Sequence, residues 1–245
     1  MLNPLAAKLR NFAPLTDDDV RALDALCANV RTFRAKRTLI REGDQPEMVF
    51  LLLEGWACRY KDLADGKRQI MAFLVPGDLC DIHIFILKAM DHSIGLVSDA
   101  KVAAIPKQQM LQLFEERPHL ARALWWSTLT DEGVLREWLV NMGQRDAYDR
   151  LSHLIAELWL RMTMVGLTKD GSFDLPVTQT ELGDALGLTS VHINRSLQRL
   201  RADGLIELSH GKMHIPDVRK LMAVTHFAAN YLHIDAEEAA AEMSI

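Results

Sequence analysis

The chain predicts an α+β protein: an N-terminal double-stranded β-helix (jelly roll), a long dimerisation helix and a C-terminal winged helix-turn-helix. Three patterns carry this. Short β-rich runs between regularly spaced turn signals fill about Arg31 to Ile105, a helical period follows Pro106 almost to Gly143, and two short apolar-faced helices meet at Gly187. The expected divisions are a β-roll domain over 1–115, the long helix over 116–143, the winged helix-turn-helix over 144–220 and a helical extension or tail over 221–245.

From Pro4 to Val30 the period is helical. Thr16 is positioned as a cap before Asp17, Asp18 and Asp19, whose charges suit a helix N-terminus, and Val20, Leu23, Leu26 and Cys27 share a face. The strands of the roll are expected at Val49–Leu53, Trp56–Tyr60, Ile70–Leu74 and Val102–Ile105. Gly43-Asp44, Glu54-Gly55, Asp65-Gly66 and Pro76-Gly77-Asp78 supply the turns. After Pro106, Leu120, Leu124, Leu135, Trp138 and Met142 form a stripe at three- and four-residue spacings. A helix this long overshoots a small domain, so the stripe is expected to pair two copies of the chain and hold two readers about one DNA turn apart. Asp146 then opens another amphipathic helix with Leu151, Leu154, Ile155 and Leu158 inside.

The reader is the most informative stretch. Thr178 or Thr180 can start a helix whose apolar residues are Leu182, Ala185 and Leu186, and Gly187 can adopt the left-handed conformation that ends it. Thr189 or Ser190 can cap the next helix, which buries Ile193, Leu197 and Leu200. Ser190, Val191, His192, Asn194, Arg195 and Arg199 are left on the other faces. Arginine can bond both acceptors on a guanine edge, asparagine pairs likewise with adenine, and valine touches only a thymine methyl. Arg195 is therefore the first expected base reader, with Thr178, Gln179 and Thr180 at the start of the preceding helix completing the DNA face. Two short strands around Ser209-His210-Gly211-Lys212 make a wing that can place Lys212 near a phosphate.

Composition sets the bounds. At 245 residues, 49% hydrophobic and 25% charged, the chain can bury a full core, and a formal charge of −5 argues against blanket attraction to nucleic acid. Charge is local instead: Ser190 to Arg201 holds three arginines and no acid, while Asp235-Ala236-Glu237-Glu238 opposes nonspecific binding from a tail expected to fray. Cys27, Cys58 and Cys80 are far apart, so neither a disulfide framework nor a metal site is expected. With no basic-then-apolar leader and no run of about eighteen apolar residues, a cytoplasmic protein without membrane contact is expected.

Taken together, Gly43-Asp44, Gly55, Asp65-Gly66-Lys67 and Pro76-Gly77-Asp78 in the roll, with Thr178 to Leu200, Gly204-Leu205-Ile206 and Gly211-Lys212 in the reader, resemble the Crp/Fnr family of bacterial transcription regulators over nearly the whole chain. The resemblance implies a homodimer on a two-fold site in double-stranded DNA, a cyclic-nucleotide-binding-like roll that senses an effector, and RNA polymerase as a further partner. The family's guanine-reading arginine falls on Arg195, whereas its usual glutamate falls on Val191 and a further arginine on Ser190.

The same resemblance would put an effector pocket around Asp78, Cys80, His83 and Thr128. Cyclic AMP is not expected there, because no arginine occurs from Gln69 to Lys101, and the one full positive charge inside that interval is Lys88. Three scattered cysteines do not supply an iron-sulfur cluster, and haem on His83 or His92 is disfavoured, so the cofactor stays unassigned. Two other classes stay open: a jelly-roll, cupin-like metal enzyme using His83 and His92, and a cyclic-nucleotide-type module serving another protein. No catalytic constellation stands out, and the intact reader favours the regulator over both.

Overall fold

The structure, a computed structural model, describes residues 3–234, which divide into two compact units: residues up to 62 with 71–129, and residues 63–70 with those from 130 onward. The acidic tail from Asp235 onward lies outside the described residues. No helix among the described residues is long and apolar enough to cross a membrane.

The first unit opens with α1 (Pro4–Arg10) and α2 (Asp17–Leu26). Thr16 caps α2 as its sequence predicts: its hydroxyl accepts from the Asp19 N–H, and the Asp19 carboxylate accepts from the Thr16 N–H at 3.0 Å. Asp19 is itself buried. Burial works to raise its pKa, but bonds from the Thr16 amide and hydroxyl and from His119 hold it down at about 2.

Eight strands follow: β1 (Val30–Phe33), β2 (Thr38–Ile40), β3 (Met48–Glu54), β4 (Ala57–Asp62), β5 (Arg68–Leu74), β6 (Leu79–Cys80), β7 (Ser93–Leu96) and β8 (Ala100–Pro106). They form two four-stranded sheets, ordered β1-β8-β3-β6 and β2-β7-β4-β5. The roll is thus present, with four strands (β1, β2, β6, β7) that were too short or too mixed to read from alternation. Gly55 makes the β3–β4 turn at φ +85°, where a Cβ would run into the Asp99 carbonyl oxygen. Residues of the paired strands β3 and β8 fill the core, with Val49 opposite Ile105 and Leu51 opposite Ala103, and β8 is buried continuously from Val102 to Ile105.

The helical stretch after Pro106 is two helices, α3 (Lys107–Glu116) and α4 (Pro118–Gln144). The break falls at Arg117, whose φ of −135° and ψ of 71° are non-helical because a residue preceding proline is pushed out of the helical region. Proline then occupies the first position of α4, where its missing N–H costs nothing.

The second unit holds the remainder of α4, then α5 (Ala147–Met164), capped by Asp146 whose Oδ1 accepts from the Tyr148 and Asp149 amides at 2.9 Å. Next come β9 (Ser172–Asp174), α6 (Gln179–Leu186), α7 (Ser190–Ala202), β10 (Glu207–Ser209), β11 (Lys212–His214) and α8 (Val218–Val224). The wing is a three-stranded antiparallel sheet in the order β10-β11-β9, one strand more than its sequence signals. Its tip turns at His210 and Gly211, both at positive φ (49° and 75°), as a two-residue hairpin loop requires.

Candidate nucleic-acid interface

Helix α6 begins with a complete capping box. The Thr178 hydroxyl accepts from the Glu181 N–H at 3.2 Å while Glu181 Oε2 accepts from the Thr178 N–H at 2.8 Å. It ends at Gly187 in the left-handed conformation, φ 64° and ψ 35°. Gly183 sets how closely the turn folds back, since a Cβ there would lie 2.5 Å from the Leu188 carbonyl oxygen. Helix α7 then starts on Thr189, whose hydroxyl accepts from the His192 N–H. Leu182, Ala185 and Leu186 from α6 meet Ile193, Leu197 and Leu200 from α7 in one buried seam above α5.

That packing fixes what faces outward. Ser190, Val191, His192, Asn194, Arg195 and Arg199 are all exposed, as are Thr178, Gln179, Thr180 and Lys212. The chemistry of these side chains differs. Arg195 makes no hydrogen bond or ion pair among the described residues, so its five donors are uncommitted. Asn194 donates to Gln179 Oε1 at 3.4 Å and His192 Nδ1 lies 3.1 Å from the Thr189 hydroxyl, which tie the start of α7 to α6 and to its own cap. Lys212 stands 4.0 Å from Asp174 at the wing edge with both side chains about three-quarters exposed, a pairing weak enough to exchange for a phosphate.

Arg199 is a different case from its expected role. Its guanidinium lies 4.2 Å from the centre of the Tyr148 ring, and the Tyr148 hydroxyl donates to Asp203 Oδ2 at 2.7 Å. Burial, and then the Asp203 bond, push the Tyr148 pKa up to about 12. Arg199 therefore fastens the end of α7 to α5. Sequence reasoning missed Tyr148, whose signal was its place in the first turn of α5, on the face that α7 must cover.

A second polar cluster anchors the base of this unit. The Glu157 carboxylate is fully buried and accepts from Trp138 Nε1 at 3.0 Å, from the Tyr231 hydroxyl at 3.2 Å and from Arg161 at 3.3 Å. Burial raises its pKa against the pull of these donors. His153 packs against Phe227 with the rings tilted (4.9 Å between ring centres), and burial followed by the charge of Arg145 brings its pKa down to about 3.

The dimerisation stripe read from the sequence requires correction. Leu120 and Leu124 are buried in the core of the first unit, and Trp138 spends its indole N–H on Glu157, because the chain itself covers that side of α4. Met142 is half-buried, and Leu135 alone of the five is exposed, at 42%. The large apolar side chains of α4 left in solvent are instead Trp125, Trp126, Leu129, Leu135, Leu139 and Val140.

The four residues of the expected effector pocket also separate. Asp78 is 1% exposed and engaged: Lys8 Nζ from α1 lies 2.7 Å from Oδ1, and the Val75 N–H donates to Oδ2 at 2.8 Å. Cys80 is buried in β6. His83 and Thr128, by contrast, line one apolar pocket together. His92 is held between Asp81 (3.4 Å) and Asp91 (2.7 Å) and does not line it. The three cysteines are free, and burial, helped by Asp24, pushes the Cys27 thiol up to about 11. Among the described residues no three His, Cys, Asp or Glu side chains converge to hold a metal.

Two family models match separate stretches of the chain. The family model of the cyclic nucleotide-binding domain matches residues 30–117, and that of the Crp-like helix-turn-helix domain matches residues 149–224. Among curated proteins, the chain is 27% identical over 192 residues to the transcriptional activator protein FnrL of Cereibacter sphaeroides, covering 76% of this chain and 75% of that protein. It is 26% identical to the nitrogen fixation regulation protein FixK of Bradyrhizobium diazoefficiens, covering 78% and 80%. The solved structure of FixK2 from Bradyrhizobium japonicum superposes with a TM-score of 0.72 at 23% identity, covering 82% of this chain and 97% of that one.

A β-roll followed by a winged helix-turn-helix with an outward cationic face defines a DNA-binding transcription regulator. Within that class the chain belongs to the Crp/Fnr family.

The cyclic nucleotide implied by the first domain's name does not fit the residues present. The carboxylate of the Gly77-Asp78 pair is neutralised by Lys8, and no arginine from Gln69 to Lys101 offers a fork to a cyclic phosphate.

Proposed function

We propose that the protein acts in the bacterial cytoplasm as a homodimer on a two-fold DNA site, without cyclic AMP and without catalysis of its own. The observation that carries this is Arg195, an exposed and uncommitted guanidinium on the outer face of a well-capped α7. Placed in the major groove, it reads a guanine through O6 and N7, while Val191 contacts a thymine methyl and Ser190, His192 and Asn194 supply shorter polar contacts. Thr178, Gln179 and Thr180 at the α6 N-terminus and Lys212 on the wing bind phosphates, and Arg199 serves by holding α7 on Tyr148.

Dimerisation is assigned to the exposed side of α4. Trp125, Leu129, Glu132, Arg136 and Leu139 follow one another at alternating four- and three-residue spacings, the period of a coiled-coil seam, with the Glu132–Arg136 pair (3.0 Å) as its polar step. RNA polymerase is the further partner of a regulator that activates.

The test is selection of bound sequences from random duplex DNA by the purified full-length protein, with no ligand added and the salt stated. Enrichment of an inverted repeat with half-sites about 34 Å apart is expected. Enrichment of single half-sites, or of nothing, contradicts the dimeric reading.

A further inference from the structure

A pocket of about 340 Å³ opens on the first unit between the 3₁₀ turn Ile82–Phe85, the end of α3 and the early turns of α4. Its size sits at the lower end of the range of about 300–1,000 Å³ for small-molecule sites. Ile82, Ile86, Phe114, Leu124 and Trp125 form its walls, and among the described residues no acidic, lysine or arginine side chain lines it. Ile86 is 86% exposed and Trp125 67%, so two large apolar groups stand in water at its mouth.

Its polar equipment is sparse and defined. The His83 ring makes no hydrogen bond among the described residues, and a neutral imidazole carries one N–H donor and one acceptor nitrogen. The Thr128 hydroxyl donates to the Leu124 carbonyl at 3.2 Å and keeps its lone pairs for another donor. The nearby Asp81 carboxylate, 3% exposed, is turned to His92 instead. Nucleotides and sugars, which need many partners, are poorly served by such a lining. A flat apolar body with one acceptor group is well served.

We propose that this pocket binds a small aromatic acid, its ring between Phe114, Leu124 and Trp125 and its carboxylate on His83. Asp78, paired with Lys8, and Cys80 do not line this site. The regulatory consequence rests on the dimeric reading above. Trp125 belongs both to the pocket wall and to the proposed α4 seam, so a ligand that fixes one Trp125 conformation favours one pairing of the helices. Only a ligand that distinguishes two pairings shifts the equilibrium between them.

The experiment titrates 1-naphthoate into the full-length chain, followed by calorimetry and tryptophan fluorescence, with cyclic AMP in parallel. One saturable naphthoate site per chain and no cyclic AMP binding are expected. Ala121→Phe, which fills the pocket, should weaken naphthoate by about tenfold or more. Ile86→Asp changes an exposed residue, so the fold is retained, and its charge at the mouth should weaken naphthoate several-fold. No saturable binding to the wild type, or equal affinity in both variants, overturns the proposal. Binding that disappears as the chain is concentrated into a dimer also overturns it, because the occupant is then a second copy. The random-DNA selection is read separately: its failure with naphthoate still bound removes the dimeric reading and leaves the pocket standing.

Discussion

Arg195 on the reader and Asp78 in the roll are two charges handled in opposite ways. Arg195 stands in solvent with its donors uncommitted, whereas Asp78 is almost wholly buried and neutralised by a lysine 70 residues earlier in the chain. An exposed uncommitted cation is available to a polyanion at little desolvation cost. A buried, paired carboxylate is available to nothing without first breaking its pair, which costs more than a weak ligand returns. The contrast teaches that the two halves of a two-part regulator need not be equally open: one unit presents its charge to a ligand, and the other has its buried carboxylate satisfied from within.

The comparison can be broken most severely at Lys8. Lys8→Met keeps the stem of the side chain and removes the charge, leaving Asp78 buried without its counterion. Destabilisation of the first unit by about 3–5 kcal/mol is expected, read as a lower denaturation midpoint for that unit. A midpoint within experimental error of the wild type would mean that Asp78 is not held by this pair.

On the other side of the comparison, Arg195→Ala should leave stability unchanged and cost about 1–3 kcal/mol of specific DNA binding. Binding isotherms on the selected site and on a scrambled duplex at the same salt separate this from a general loss. Equal losses on both duplexes would reassign Arg195 to the phosphates.

His153 offers a pH test confined to the reader unit. Its folded pKa is lowered to about 3 from an ordinary 6.5, so below 6.5 the unfolded chain takes up a proton that the folded chain refuses. Stability from this site is complete above about pH 6.5 and is lost as pH falls toward 3, at no more than about 1.4 kcal/mol per pH unit. Melting curves between about pH 4 and 7 should show this slope in the wild type, and His153→Leu should flatten it. An unchanged slope in the variant would place the acid sensitivity elsewhere.

The smallest effect is expected at the wing. Lys212→Ala should weaken binding evenly across sequences and reduce the salt dependence by roughly one counterion. A loss confined to one base position would contradict the phosphate role.

The reader was legible in the sequence because its signals are local: Thr178 and Glu181 cap one helix, Gly187 ends it, and Ile193, Leu197 and Leu200 mark the buried face of the next. The four longer strands of the roll were legible for the same reason, while β1, β2, β6 and β7 owe their pairing to partners far along the chain. The spacing on α4 marks an apolar stripe, but three of its five residues pack within the chain. Spacing shows that Leu120, Leu124 and Trp138 share a side but not which element covers it. Lys8 left a faint signal, a lysine beside Leu5 and Leu9 on the buried face of α1, but nothing in the sequence connects it to Asp78. Tyr148 and Tyr231 act through contacts made 55 and 74 residues away, beyond the reach of any periodicity.

The account turns on one side chain reading one base. The most direct measurement repeats the random-duplex selection with Arg195→Ala beside the wild type, at matched salt and with enough protein to recover bound DNA. The account predicts that the wild-type site carries a guanine in each half-site whose preference disappears in the variant, while the spacing of the half-sites and the other preferred positions remain. An identical selected site, guanine included, would contradict it.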